Sequence, residues 1–281
     1  MHWQTSRFDI DLSQPKIMGI VNVTPDSFSD GGQHAGTRAA LMHCEQLLKD
    51  GAHILDIGGE STRPGSPAVP LDEELARVLP VVREAAKLGV PLSVDTYKPE
   101  VMRAVLDEGA DIINDIWALR QGDALQVVAS HPRCGVCLMH MHRDPQTMQV
   151  APMQGDVVPL VVAFLRQRVD ALRTLNVAAE RIVLDPGIGF GKTVEQNFSL
   201  LARQQELLVA GYPLLAGWSR KSSLGAVTGR ELPAERVSAS VAAALLAVDR
   251  GGRVVRVHDV RETGDVLAVW AAMQASNALA P

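Results

Sequence analysis

Eight short runs of β-branched and aliphatic residues alternate with eight longer amphipathic stretches, and nothing else in the chain constrains the fold as tightly. The short runs fall at 17–23, 53–57, 92–94, 111–113, 135–139, 181–184, 213–216 and 253–257. The longer stretches fall at 37–49, 72–88, 99–108, 121–130, 156–175, 194–209, 235–250 and 259–275. Strand, helix and strand in strict succession force parallel crossovers. The strand candidates are apolar on both faces, as parallel strands are when helices cover the sheet. No Gly/Ser linker or break in composition divides the 281 residues. The pattern therefore predicts one α/β domain over 1–281, with its core over about 15–276. A closed (β/α)8 barrel fits it better than an open doubly wound sheet. Helices are expected to start at N-caps Thr37, Asp72 and Asp156 and, with Pro99, in a first turn. Gly51, Gly89 and Gly109 stand where left-handed residues would end helices. Segments 30–36 and 64–70 read as mobile loops.

Composition excludes several classes of function. With 47% apolar and 21% charged residues, the chain can bury a large core and is not disordered. The longest apolar runs, 241–248 among them, are eight residues, far short of the roughly 20 a membrane helix needs. Its 27 basic and 32 acidic residues are well mixed and sum to −5, which leaves no basic face for nucleic acid. The first fifteen residues lack the basic flank and apolar core of a signal peptide. Three cysteines suit a reducing compartment, so a cytoplasmic location is expected. Cys134 and Cys137 spell C-x-x-C, but inside a strand candidate. Redox pairs open a helix, whose N-terminus stabilises the thiolate, so these two are expected to pack.

Polar residues gather where the strands stop. Asn22 and Thr24 follow the first, Glu60, Ser61, Thr62 and Arg63 the second, Asp95 and Thr96 the third. Asn114 and Asp115 close the fourth, His140 and His142 the fifth, Asp185 the sixth. Ser219, Arg220 and Lys221 follow the seventh; Arg256, His258 and Asp259 close the eighth. In a parallel barrel these ends open on one mouth. Packing alone does not recruit unpaired charges there, because burying them costs several kcal/mol. Asp259 alone reads as a helix cap. Asp95, Asn114 and Asp185 suit a flat heterocycle presenting several N–H donors, which carboxylates bind strongly. Arg63, Arg220, Lys221, Arg256 and His258 put cations on a net-negative protein and point to a phosphate-bearing substrate.

Two motifs mislead. The run 187–193, GIGFGKT, lacks the glycine that a P-loop places five residues before its GKT, since Pro186 stands there. Its glycines are expected to let the backbone approach a ligand. His140 and His142 share a strand face but have no carboxylate or cysteine at ligand spacing, so packing is expected rather than zinc.

Taken together, eight motifs resemble those of bacterial dihydropteroate synthases. They are MGIVNVTPDSFSDGG at 18–32, DIGGESTRPG at 56–65, VDT at 94–96, INDI at 113–116, LMHM at 138–141, DPGIGFGK at 185–192, SRKS at 219–222 and RVHDVRET at 256–263. The resemblance spans 17–263 in the family's order and implies a TIM barrel. It also implies a transferase of folate biosynthesis. That enzyme joins 6-hydroxymethyl-7,8-dihydropterin diphosphate to p-aminobenzoate, giving 7,8-dihydropteroate and diphosphate. Asp95, Asn114, Asp185 and Lys221 would hold the pterin, in a slot lined by Ile116, Met139, Phe190 and Gly217. Thr62, Arg63, Arg256 and His258 would grip the diphosphate, with Asn22 contributing to a Mg²⁺ site. Phe28, Thr62, Pro64, Phe190, Lys221 and Ser222 would form the p-aminobenzoate pocket, the target of sulfonamides. Asp95, Asp185, Lys221, Arg256 and His258 would carry catalysis by electrostatics, with no nucleophile, and loops 24–36 and 62–70 would close over the site. A homodimer is also implied, with the alanine-rich stretch 237–248 either at the contact face or packed on the barrel.

Three positions depart from the family pattern: Arg143 stands where glycine is usual, Tyr97 where serine is, and Trp218 where tryptophan is not. Two other readings share the pterin cradle. A methyltransferase barrel would give Thr62, Arg63, Arg256 and His258 no anion to bind. A non-catalytic pterin-binding paralogue sits poorly with the intact segments 22–29 and 219–222. A sugar-phosphate aldolase would want a lysine within a strand, whereas Lys221 stands beyond one.

Overall fold

The computed structural model describes residues 1–23, 32–62, 65–208 and 211–277. Eight parallel strands form one sheet: β3 (Lys16–Asn22), β4 (Ile54–Gly58), β5 (Leu92–Asp95), β6 (Ile112–Asp115), β7 (Gly135–Met139), β8 (Ile182–Asp185), β9 (Leu215–Ala216) and β10 (Val254–Val257). Each pairs with its neighbour in chain order, and β10 returns to lie between β3 and β9. A parallel bridge from Leu184 to Leu214 joins the two remaining edges and closes the barrel. Every expected strand is present, within two residues at each end.

Helices cover the outside: α1 (Gly32–Lys49), α2 (Leu71–Ala85), α3 (Pro99–Asp107), α4 (Ala124–Ser130), α5 (Val157–Thr174), α6 (Val194–Ala202), α7 (Gln204–Leu208), α8 (Ser222–Thr228), α9 (Val237–Asp249) and α10 (Val260–Asn277). Asp156 caps α5 by accepting from the Val158 amide at 3.1 Å, and Pro99 opens α3, both as expected. Gly51, Gly89 and Gly109 all take positive φ. Two expected caps are corrected. Helix α1 begins at Gly32, so Thr37 lies inside it and 32–36 are helical rather than loop. Helix α2 begins after Pro70, which puts Asp72 in its first turn, where a carboxylate still meets the positive end of the helix. The stretch 194–209 is two helices broken at Arg203, and α8 carried no periodic signal.

The N-terminus supplies a part of the core that its sequence did not announce. Strands β1 (His2–Gln4) and β2 (Asp9–Asp11) form an antiparallel hairpin. Trp3, Ile10 and Leu12 pack on Met18, Ile54, Ile112, Val183, Leu215 and Val254, the inward residues at the amino ends of their strands. The hairpin thus plugs the barrel floor opposite the mouth. Trp3 is fully buried, and its Nε1 donates to the Arg181 carbonyl at 3.0 Å. Arg7 forks onto the buried Asp111 carboxylate, which also accepts from the Leu92 amide. Trp3→Ala should cost about 3–5 kcal/mol, the usual range for a large buried aromatic, read as a lower denaturant midpoint. A loss under about 1 kcal/mol would show that the hairpin unfolds apart from the barrel.

Candidate active site

Side chains along a strand alternate between faces, and this period of two builds the site. In β3, Ile17 and Val21 pack outward on the helices, whereas Met18 lies in the interior cluster and Ile20 and Asn22 line the cavity above it. The same parity turns Asp56, Asp95, Asn114, Met139, Asp185, Gly217 and Arg256 inward at the carboxyl ends of their strands. All of these but Asp56, which lies behind Arg256, line a cavity of about 450 Å³, well within the range for small-molecule sites. Thr62, Ile116, Phe190, Lys221, Ser222 and His258 complete its lining. Thirteen of the sixteen residues expected at the site line this one cavity. Phe28, Arg63 and Pro64 lie outside the described residues.

One side of the cavity is a buried network. Arg256 Nε donates to Asp56 Oδ2 at 2.6 Å and its Nη2 donates to Asp95 Oδ2 at 2.9 Å. Asn114 Nδ2 lies 3.3 Å from Asp56 Oδ2. Burial pushes the Asp95 carboxyl up to about 7, against the pull of Arg256 and with the help of Asp56. Burial also opposes charge on Arg256, but Asp56 and Asp95 more than offset it and raise its pKa. Asp56 was the residue sequence reasoning missed. It sits inside a quoted motif and is wholly buried, and its only signal was the inward parity it shares with Asp95 and Asn114.

On the other side, Asp185 Oδ1 accepts from the Gly187 amide at 2.7 Å. Burial raises its carboxyl, with the nearby Lys221 opposing. Burial lowers Lys221 to about 8, with Asp185 opposing. Lys221 Nζ donates to the Ile188 carbonyl and lies 4.7 Å from the centre of the Phe190 ring. His258 is fixed through Nδ1, 2.9 Å from Ser219 Oγ. Arg220 reaches the cavity wall, but its guanidinium forks onto Asp259, at 3.1 Å through Nε. Asp259 thus immediately precedes α10, as a cap would, while its carboxylate holds Arg220.

The glycine loop is corrected in detail. A Cβ on Gly187 would stand 1.8 Å from the His140 carbonyl oxygen, and one on Gly191 would stand 2.6 Å from His142 Cβ. At those two positions the close approach is to the end of β7, not to a ligand. The buried Lys192 amine holds the same loop, donating to Gly187 O at 2.7 Å and Phe190 O at 3.1 Å. His140 packs its ring edge-on against Phe164, and burial drives its pKa down to about 2. Cys134 and Cys137 are buried free thiols raised by burial, in packing roles as expected.

Comparison with known proteins gives this chain a family. The profile of the family described as "Pterin binding enzyme" matches residues 18–258. A dihydropteroate synthase from Neisseria meningitidis serogroup B is 51% identical over 276 residues, covering 96% of this chain and 97% of that protein. The chain belongs to the dihydropteroate synthase family. Among solved structures, the Burkholderia cenocepacia dihydropteroate synthase complexed with 7,8-dihydropteroate is 51% identical, with a TM-score of 0.90 over 99% of this chain and 98% of that one. The Xanthomonas albilineans dihydropteroate synthase with 4-aminobenzoic acid is also 51% identical, with a TM-score of 0.89 over 97% and 96%.

Arg143, Tyr97 and Trp218, expected from the sequence to depart from the family pattern, each have a distinct local setting. Arg143 takes φ +64°, a left-handed conformation in which glycine is at ease and arginine is strained. Tyr97 donates to Glu60 Oε1 at 2.9 Å and meets the Trp117 ring edge-on. Trp218 is buried against Phe198, behind the cavity wall.

Proposed function

We propose that this chain condenses 6-hydroxymethyl-7,8-dihydropterin diphosphate with p-aminobenzoate, as a single-domain transferase of folate biosynthesis. The observation that carries this reading is the meeting, in one cavity, of the buried carboxylates Asp95 and Asp185 with Lys221, Arg256 and His258. Asp95, Asn114 and Asp185 take the N–H groups of the pterin, and Lys221 donates to its acceptors. Ile116, Met139, Phe190 and Gly217 enclose the ring. Thr62, Arg256 and His258 grip the diphosphate, joined by Arg63.

The C–O bond to diphosphate breaks first, and the electron pair leaves with the diphosphate. The amine nitrogen of p-aminobenzoate then forms the new C–N bond and sheds a proton to solvent. Asp95 and Asp185 stabilise the cationic pterin, and Arg256 and His258 stabilise the departing anion, each worth several kcal/mol when preorganised. Phe190, Lys221 and Ser222, with Phe28, Thr62 and Pro64, receive the arylamine and exclude water from the cation.

Mg²⁺ suits the diphosphate end. Asn22, in the cavity lining, carries a hard amide oxygen of the kind Mg²⁺ takes. An ion with one protein ligand, completed by phosphate oxygens and water, is the habit of Mg²⁺. When bound, it would neutralise charge on the leaving diphosphate.

Two further points complete the reading. The protein works in the cytoplasm, supported by three buried free thiols. Among the described residues, no helix is long and apolar enough to cross a membrane. It acts as a homodimer through α9 and α10, supported by the exposed Leu246, Val269 and Met273 on these adjoining helices. Ala243, Ala244 and Ala247 of α9 are buried.

A sulfonamide copies the aryl amine of p-aminobenzoate and is expected to compete with it. Inhibition that p-aminobenzoate cannot relieve would contradict the pocket. The titrations give a second check. Asp95 gains charge, and with it acceptor strength, as pH rises through about 7, and Lys221 loses charge as pH rises through about 8. A narrow bell in kcat/KM for the pterin substrate follows, with apparent limbs belonging to the coupled groups. Lys221→Arg should lift the alkaline limb out of range, since guanidinium stays charged. An unmoved alkaline limb would remove Lys221 from that role.

A further inference from the structure

Two walls of the cavity, thirty-odd residues apart in sequence, are tied together by a buried amide, alongside the bond from Lys221 Nζ to the Ile188 carbonyl. One wall is the loop after β8, which carries Ile188, Gly189 and Phe190. The other is the start of α8, which carries Lys221 as its N-cap and Ser222 as its first residue. Asn197, in the first turns of α6, is 1% exposed and touches both. Its Oδ1 accepts from the Gly189 amide at 2.8 Å. Its Nδ2 donates to Ser223 Oγ and to the Thr193 carbonyl, each at 2.9 Å.

The polar atoms of Asn197 are therefore committed, and none faces the cavity. What they fix is the gap between the walls. A Cβ on Gly189 would stand only 3.2 Å from Lys221 Cδ, so loop and lysine are already in close contact. The Phe190 ring lies 4.7 Å from Lys221 Nζ, with Ser222 beside it in the lining. A shift of the loop relative to α8 would widen this gap and leave Asp95, Asn114 and Arg256, on the far strands, in place.

We infer that Asn197 is a positioning residue for the arylamine end of the site: by bridging Gly189 and Ser223 it holds Phe190 at a fixed distance from Lys221 and Ser222. The inference rests on the reading of these residues as the p-aminobenzoate pocket. Asn197 touches neither substrate. Phe190 and Lys221 also border the pterin, so the effect of Asn197 is largest on p-aminobenzoate, which alone is assigned Ser222, and smaller on the pterin diphosphate.

The test is steady-state kinetics of the full chain with both substrates varied. Asn197→Leu, close in size, removes all three bonds. It should raise KM for p-aminobenzoate about tenfold, the scale of one or two lost buried hydrogen bonds, with a clearly smaller rise in KM for the pterin diphosphate and kcat little changed. Ser223→Ala cuts only the link between the walls and should raise the same KM by less. The double variant should be no worse than Asn197→Leu alone, since both break one bridge. If Asn197→Leu fails to fold, Ser223→Ala decides alone. A rise in KM for the pterin diphosphate as large as that for p-aminobenzoate, or a lower melting temperature with both KM values unchanged, overturns the inference. Ser222→Val separates it from the reading beneath it. If that variant raises KM for p-aminobenzoate while the bridge variants do not, Asn197 has no positioning role. If it leaves that KM unchanged, the pocket reading fails and takes the inference with it.

Discussion

Asp185→Asn is expected to weaken binding of the pterin diphosphate by roughly 2–3 kcal/mol, about 30- to 150-fold, as loss of a buried charged acceptor does. The substitution keeps the shape of the side chain, and its oxygen can still accept from the Gly187 amide at 2.7 Å, so the loop should survive. What disappears is the charge. Lys221, already lowered to about 8 by burial, loses the neighbouring carboxylate that opposes the shift. The alkaline limb of the pH profile should therefore fall as the affinity does. Isothermal titration and a pH series on the same variant check both at once. An unchanged affinity with an unchanged limb would remove Asp185 from the pterin end.

Asp56→Leu should be the more damaging change to the fold. Asp56 is wholly buried and takes Arg256 Nε at 2.6 Å, with Asn114 Nδ2 at 3.3 Å. Removing one partner of a buried ion pair costs about 3–5 kcal/mol, because the other charge is left without its mate. Asp95 still holds Arg256 Nη2, so the expected loss lies near the low end, about 3 kcal/mol. Affinity for the pterin diphosphate should fall as well, since Arg256 and Asn114 both lose the group that orients them. Denaturant unfolding with and without the substrate separates the two effects. Native stability within about 0.5 kcal/mol would mean that Asp56 is no anchor.

The strands were legible because burial on both faces leaves unbroken apolar runs, and their parallel order sends the polar residues at their carboxyl ends to one mouth. The role of Asp56 was not legible. Its partner Arg256 is 200 residues away, and a strand-end aspartate carries no local mark of what it faces. The β1–β2 hairpin was hidden for a different reason: strands of three residues show no period. Only the burial of Trp3 against the barrel floor reveals it. The glycines at 187 and 191 were recognisable as sites of close approach, but their neighbours His140 and His142 come from the segment after β7 and are not written in the loop. Helix α8 begins at Ser222, and its N-cap Lys221 makes no side-chain cap bond, so its start was silent too.

The most direct test is release of diphosphate from 6-hydroxymethyl-7,8-dihydropterin diphosphate in the presence of Mg²⁺, followed with and without p-aminobenzoate. Release that depends on p-aminobenzoate and matches the 7,8-dihydropteroate formed is the predicted result. Tight binding of the pterin diphosphate with no release in either case would contradict it and leave a protein that holds a pterin without transforming it.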